Sequence, residues 1–250
     1  MLARHVDAYF RHVHSTGCYG FVHEPTLRRS IRAGTVSRPL ILAMCAASKR
    51  FIHWNDREAE SADASMLSRS QTWADESKRL VFTRLYDYEL DTLAALLLQF
   101  YDAVASAQFE VVRLLSPVAA RMAIGMDLNV EEDDVAGEEQ RRTGTTVERD
   151  EAEVYVRRET KRRLMWACQY FDWQTHEGLS FNLCIDPDCM TIRLPSTDED
   201  YLAGRANDMP MLSTRERAGQ SHSEGPSTVG PQSPLSAFIR LMAIRVRVMQ

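Results

Sequence analysis

Between Thr92 and Leu128, apolar side chains return every third or fourth residue through two stretches with almost no linker between them. Leu93, Leu96, Leu97, Phe100, Tyr101 and Val104 mark one apolar face, and Val112, Leu115, Ala119, Met122 and Met126 mark a second. This is the helical repeat. Two such faces joined by a very short turn are both buried when the helices fold back on each other, so the spacing predicts an antiparallel helical hairpin. Pro117 lies inside the second stretch, where its missing N–H and its ring should kink or interrupt the helix.

The same period recurs elsewhere, no β-rich run competes with it, and no internal repeat occurs. Leu2, Val6, Tyr9, Phe10 and Val13 predict an opening helix, Gly17 and Gly20 break it, and Pro25 suits the start of a second. The run from Pro39 to Phe51 is apolar on most faces, as a helix packed inside a bundle should be. From Ser61 to Leu85 the composition is more polar, yet Met66, Leu67, Trp73, Leu80, Val81 and Phe82 keep helical register, which predicts a helix with one exposed face. Asp150, Glu151 and Glu153 would favour the positive amino end of a further long helix, and Gly178 would stop it. A terminal stretch from Pro234 to Gln250 repeats the pattern through Leu235, Phe238, Ile239, Leu241, Met242, Ile244 and Val248.

The expected fold is therefore an all-α multi-helix bundle, interrupted by an acidic loop and by a Ser/Gly/Pro-rich linker before a terminal helix. Asn129 to Thr146 has the composition of a weakly ordered, solvated loop. Residues 1–201 are read as one helical domain, 202–234 as a flexible linker, and 235–250 as a terminal helix that begins a truncated continuation.

Composition narrows the functions open to such a chain. Its 30 basic and 35 acidic side chains provide no global positive field for phosphate backbones, which argues against DNA binding by this chain alone. Cys18, Cys45, Cys168, Cys184 and Cys189 contain no C-x-x-C pair, so neither a zinc framework nor a disulfide scaffold is indicated, and a reducing compartment is expected. Arg4, Asp7 and Arg11 interrupt the first apolar stretch, unlike a secretory signal or a membrane span. No G-x-S-x-G elbow, H-E-x-x-H pair or phosphate-cradling glycine loop supplies a catalytic constellation, so an enzyme is not expected.

Several clusters have both a functional and a packing reading. His5, His12, His14, Cys18 and His23 could suggest a metal site, but neither His5 to His12 nor His12 to His14 has the three- or four-residue spacing of ligands on one helical face, and packing or turn roles are favoured. The acidic run Glu131, Glu132, Asp133 and Asp134, with Glu138 and Glu139, bears a surface likeness to the metal motif of helical isoprenoid synthases. That chemistry requires rigid, oriented carboxylates, and a solvated loop is favoured. Arg157, Arg158, Lys161, Arg162 and Arg163 form a candidate import patch, with a solvated helix face laced by i to i+4 pairs as the preferred reading. Trp166, Tyr170 and Trp173, with Phe171, could line a ligand pocket, although aromatic residues at helical spacing more often form core; Cys168 reads as a small buried residue.

Three blocks carry a family resemblance. The first is HVDAYFRHVHSTGCYGFVHEPTLRRSI, with its His23-x-Pro25-Thr26 turn; the second runs from Asp91 through the Arg121-Met122-Ala123 triplet to Asn129. The third runs from Glu159 to Tyr201, with Arg162, Arg163, Leu164 and Trp166 ahead of an apolar helix and Leu194, Pro195, Asp198, Glu199, Asp200 and Tyr201 after it. In this order they resemble the fungal-specific transcription factor regulatory domain that follows a binuclear zinc cluster. The chain departs from the family pattern at Gly178-Leu179-Ser180, where Gly-Arg-Pro is frequent.

The resemblance implies an all-α regulatory domain in the nucleus that acts on transcription by RNA polymerase II through the transcription machinery or co-regulators. Zinc and DNA would be bound through a preceding module not found in this chain, which would itself carry no cofactor. An apolar terminal helix without its usual neighbours implies self-association. Two other readings stay open: a helical small-molecule-binding or isoprenoid-type enzyme, and a truncated gene product without independent function.

Overall fold

The computed structural model describes residues 2–55, 64–131, 151–175, 183–186, 189–212 and 233–249. Among the described residues there are nine helices and no strand, only two isolated β-bridges, so the all-α expectation holds. The helices are α1 (Leu2–His12), α2 (Glu24–Ala33), α3 (Arg38–Asn55), α4 (Ala64–Thr83), α5 (Leu90–Ala105), α6 (Phe109–Gly125), α7 (Glu151–Thr175), α8 (Asp198–Ala203) and α9 (Pro234–Met249). None of them is long and apolar enough to cross a membrane.

The predicted hairpin is α5 and α6, which pack on each other across a turn at Ser106 to Gln108. Helix α5 is the centre of the bundle: Leu93, Leu96, Leu97 and Leu98 are all at most 1% exposed, and α3, α4, α6 and α7 pack around it. Helix α6 runs through Pro117 without interruption. Arg113, four residues earlier, is exposed, so the ring meets the solvent side of the helix and the helix tolerates it. Helix α2 carries Pro25 in its first turn and stops at Gly34, whose φ of 70° places it in the left-handed region that a glycine adopts without a Cβ clash.

Two segments differ from their sequence reading. Residues 202–212, expected to open a linker, are packed: Met209 and Leu212 are buried, Leu194 N–H donates to the Pro210 carbonyl at 2.9 Å, and Arg193 and Met211 form a bridge. Backbone pairing with residues 193 and 194 orders a stretch whose own composition has no period. The terminal helix, read as the start of a truncated continuation with its apolar surface uncovered, docks on α7 and buries Ile239, Met242, Ala243 and Val246 in the common core, with the Phe238 ring 5.3 Å from Tyr170. Its exposed apolar residues reduce to Leu241, Ile244, Val248 and Met249. Residues 213–232, Gly178 and the acids Glu132, Asp133, Asp134, Glu138 and Glu139 lie outside the described residues, as do the side chains of Met66 and Leu67.

The histidines and cysteines of the first block are structural. His5 shares a hydrogen bond with Ser48 at 3.1 Å, His14 with the Val22 carbonyl at 3.2 Å, and His23 with Thr26 at 2.7 Å. Cys18, Cys45 and Cys168 are buried, and burial pushes their thiols up, Cys45 to about 12. Cys189 is exposed. Because the thiolate is the nucleophile, iodoacetamide at mildly alkaline pH should label Cys189 in the folded protein, and Cys18, Cys45 and Cys168 only after denaturation. Peptide mass mapping reads the order, and early labelling of Cys168 would contradict the packing of α7.

Candidate functional site

Helix α7 presents two adjoining faces that together build the site. On one, Tyr155, Glu159, Arg162, Arg163 and Trp166 are all buried; on the other, Val156, Arg157, Thr160 and Leu164 recur at helical spacing along a cavity. The buried face contains an acid and two bases, and each is satisfied by residues distant in sequence.

Glu159 is 0% exposed and accepts hydrogen bonds from Arg163 Nε at 2.9 Å, from Arg162 Nη1 at 3.3 Å and from the Ser196 backbone N–H at 2.9 Å. Arg163, 1% exposed, uses the rest of its fork on the Gly20 carbonyl at 2.8 Å, the Ser196 carbonyl at 2.9 Å and the Asp198 carboxylate at 2.6 Å. Its guanidinium also lies over the Tyr201 ring, 4.3 Å from the centroid. The approach to Gly20 is so close that a Cβ there would lie 3.2 Å from Arg163 Nη1 and 3.4 Å from the His14 carbonyl, which accounts for the glycine. Arg162 grips both oxygens of Glu131, and Glu131 in turn accepts the Arg193 backbone N–H at 3.0 Å.

Burial works against the charge on both arginines, but the surrounding acids outweigh it: Glu131 first for Arg162, and Glu159 followed by Asp198 for Arg163, so both pKa values shift upward. This network ties the turn before α2, the segment 191–198 and the start of α8 to α7. Tyr155 adds a hydrogen bond to Ser196 at 2.7 Å, and Tyr201 donates to the Phe21 carbonyl at 3.1 Å while contacting Thr160 at 2.7 Å.

Behind the clamp lies a cavity of about 560 Å³, within the size range of small-molecule sites. Its walls come from α2, the 35–37 turn, and the starts of α3, α5 and α7, and it is closed by the end of α8 at Leu202 to Gly204. Most of the lining is apolar, including Phe21, Leu27, Leu40, Ala94, Val156 and Leu164. Gly204 closes α8 with a φ of 65°, and a Cβ there would lie 3.0 Å from that of Ala152, so the glycine allows α8 to approach α7. Asp91, in the first turn of α5, lines the rim of the cavity and is exposed to solvent.

The sequence candidates are placed as follows. Trp166 and Trp173 are buried and Tyr170 half-buried; Trp166 Nε1 donates to the Arg193 carbonyl at 2.8 Å, and none of the three lines the cavity. They pack in the core, the reading favoured from their spacing, and the cavity lies instead along the amino-terminal half of α7. Of the basic run, Arg157 is exposed, Arg158 and Lys161 are half-buried, and Arg162 and Arg163 are buried. The solvated face is thus corrected: the i to i+4 pair of Glu159 and Arg163 exists, but inside the protein. Glu131, read as part of a solvated loop, is a partner of that interior; Glu159 and Asp91 carried no sequence signal beyond their charge. The His23-x-Pro25-Thr26 turn, singled out in sequence, does form part of the cavity wall.

A family model described as fungal specific transcription factor domain matches residues 6–244. The Zn(2)-C6 fungal-type transcription factor FTF1c of Fusarium oxysporum f. sp. lycopersici is 27% identical over 97% of this chain and 25% of its own length. Its counterpart FTF1a from the same organism is 28% identical over 76% of this chain and 16% of its own. An uncharacterized transcriptional regulatory protein of Schizosaccharomyces pombe is 26% identical over 76% of this chain and 18% of its own. The chain thus spans a quarter or less of the length of these curated relatives. No solved structure matches it.

Removing one member of a buried charge network leaves its partner unpaired at low dielectric, at a cost of about 3–5 kcal/mol. Glu159→Ala should therefore lower unfolding stability by about that amount in urea titrations. Glu153→Ala breaks a pair with Arg29 in which both side chains are more than 60% exposed, and should cost below about 1 kcal/mol. Equal effects of the two substitutions would contradict the buried clamp.

Proposed function

This chain belongs to the fungal specific transcription factor domain family, and on that premise we propose that it regulates transcription by RNA polymerase II in the nucleus, as a domain that responds to an effector or a partner protein. The observation that carries this reading is the family match over residues 6–244, a span that includes every helix of the clamp and all the walls of the cavity. The relatives' names describe transcription factors and a transcriptional regulatory protein.

In this reading the chain carries no reaction and makes no DNA contact of its own. Its net charge of −5 and mixed surface do not favour a phosphate backbone, and sequence-specific DNA contact belongs to a separate zinc-binding module. Its partners are co-regulators or the transcription machinery. A helical bundle whose long α7 ties distant segments together is suited to passing a change at the cavity to its outer surface.

The test is a tethering experiment. Fused to an unrelated DNA-binding module in a fungal host, the chain should change expression of a reporter carrying that module's sites, relative to the module alone. Leu97→Asp, which places an unpaired charge at the centre of α5 and should unfold the domain, should remove the change. A reporter unaffected by the intact fusion, with the fusion folded and nuclear, would overturn the reading.

A further inference from the structure

Protein interiors leave few voids larger than a water molecule, and the cavity beside α7, at about 560 Å³, is far larger than that. Its edges are tied. His23 Nε2 meets the Leu202 carbonyl at 3.4 Å, Tyr201 donates to the Phe21 carbonyl at 3.1 Å, and Arg29 pairs with Glu153 at 2.7 Å, so the spacing of α2, α7 and α8 is fixed by the chain itself. A preformed concave site of this size is the usual form of a small-molecule site.

The chemistry of the wall selects the ligand. Phe21, Leu27, Leu40, Ala94 and Leu164, each at most 5% exposed, form an apolar floor. Polar side chains on the wall are engaged with the chain: the Thr160 hydroxyl donates to the Val156 carbonyl at 2.8 Å, and His23, whose pKa is lowered by burial, shares a hydrogen bond with Thr26 at 2.7 Å. Arg29, Arg157, Asp91 and Glu153 are all exposed, two of each sign, so the rim carries no net charge to draw in an ion. An ionised group pressed on the floor would lose its hydration and meet no opposite charge there. We propose that the cavity is a binding site for a neutral, largely apolar small molecule, seated on Leu27, Ala94, Val156 and Leu164 beneath the charged rim. The proposal rests on the effector-responsive reading and names the chemistry of the effector. It is tested on binding alone, so its failure leaves a reporter response by the tethered chain untouched, and the converse also holds.

Three probes with one apolar body and different heads separate the outcomes: 4-phenyl-1-butanol, 4-phenylbutylamine and 4-phenylbutyrate, titrated by calorimetry into the whole chain at neutral pH. The alcohol should bind more tightly than either ion by about tenfold or more. Hydrogen exchange locates it, with slowed exchange expected in residues 21–37 and 200–204. Val156→Phe, checked for unchanged helical content, fills the space along α7 and should weaken the alcohol by about tenfold; Leu202→Trp, at the exposed end of α8, narrows the same space and takes its place if that variant loses helix. Asp91→Asn and Arg157→Gln, which alter exposed charges only, should each leave the alcohol within about twofold. Tightest binding of the amine or the acid, an alcohol affinity that the folded space-filling variant leaves unchanged, exchange slowed only elsewhere in the chain, or no binding at all would overturn the proposal.

Discussion

The interior ion network around Glu159 is the constraint on which the rest of the structure depends. Two arginines and two glutamates, Arg162, Arg163, Glu131 and Glu159, lie in a layer between α7 and the segments that cross it. Burying such charges stabilises a protein little on balance, because the attraction mostly offsets lost hydration. The consequence is geometric: once the charges are inside, their partners have no alternative positions of comparable energy. Arg163 reaches the Gly20 carbonyl, 143 residues away in sequence, and the Ser196 carbonyl, so the amino-terminal turn and the segment before α8 are held in register with α7. The apolar core around α5 makes the bundle compact; the polar layer determines how its irregular segments are arranged.

The cavity is a product of that arrangement. Its walls are contributed by segments from residue 21 to residue 204, and α8 closes it because Tyr201 and Asp198 are anchored by the clamp. Arg163 therefore couples the turn on one side of the cavity to the helix on the other. A ligand seated between α2, α5 and α7 would act on the same elements that the clamp ties together, which gives a physical route from a small molecule to the shape of the outer surface.

Much of the fold was legible in the primary structure, because helices are specified locally. The hairpin of α5 and α6 follows from the spacing of Leu93, Leu96, Leu97, Val112 and Leu115, and the family blocks follow from residues such as His23, Pro25 and Thr26. Where local rules were followed too literally they failed. Residues 202–212 have the composition of a linker and yet bury Met209 and Leu212, because their backbone pairs with residues 193 and 194. The aromatic run at Trp166 to Trp173 was by contrast read chiefly as core, and core it is, since a helix enclosed on nearly all sides fills its surroundings with its largest side chains.

What the sequence determined by itself was the period of the helices, the apolar faces they would bury and the family to which their order belongs. Tertiary structure alone decided which charges lie inside. Arg162 and Arg163 look the same in sequence as Arg157 and Arg158, and their burial depends on Glu131, Gly20, Ser196 and Asp198, which no helical period brings near them. The cavity was decided in the same way: its walls come from α2, α3, α5, α7 and α8, which no local pattern brings together. Periodicity reports which face of a helix is buried, whereas the free energy of a charge depends on partners that only the folded chain assembles.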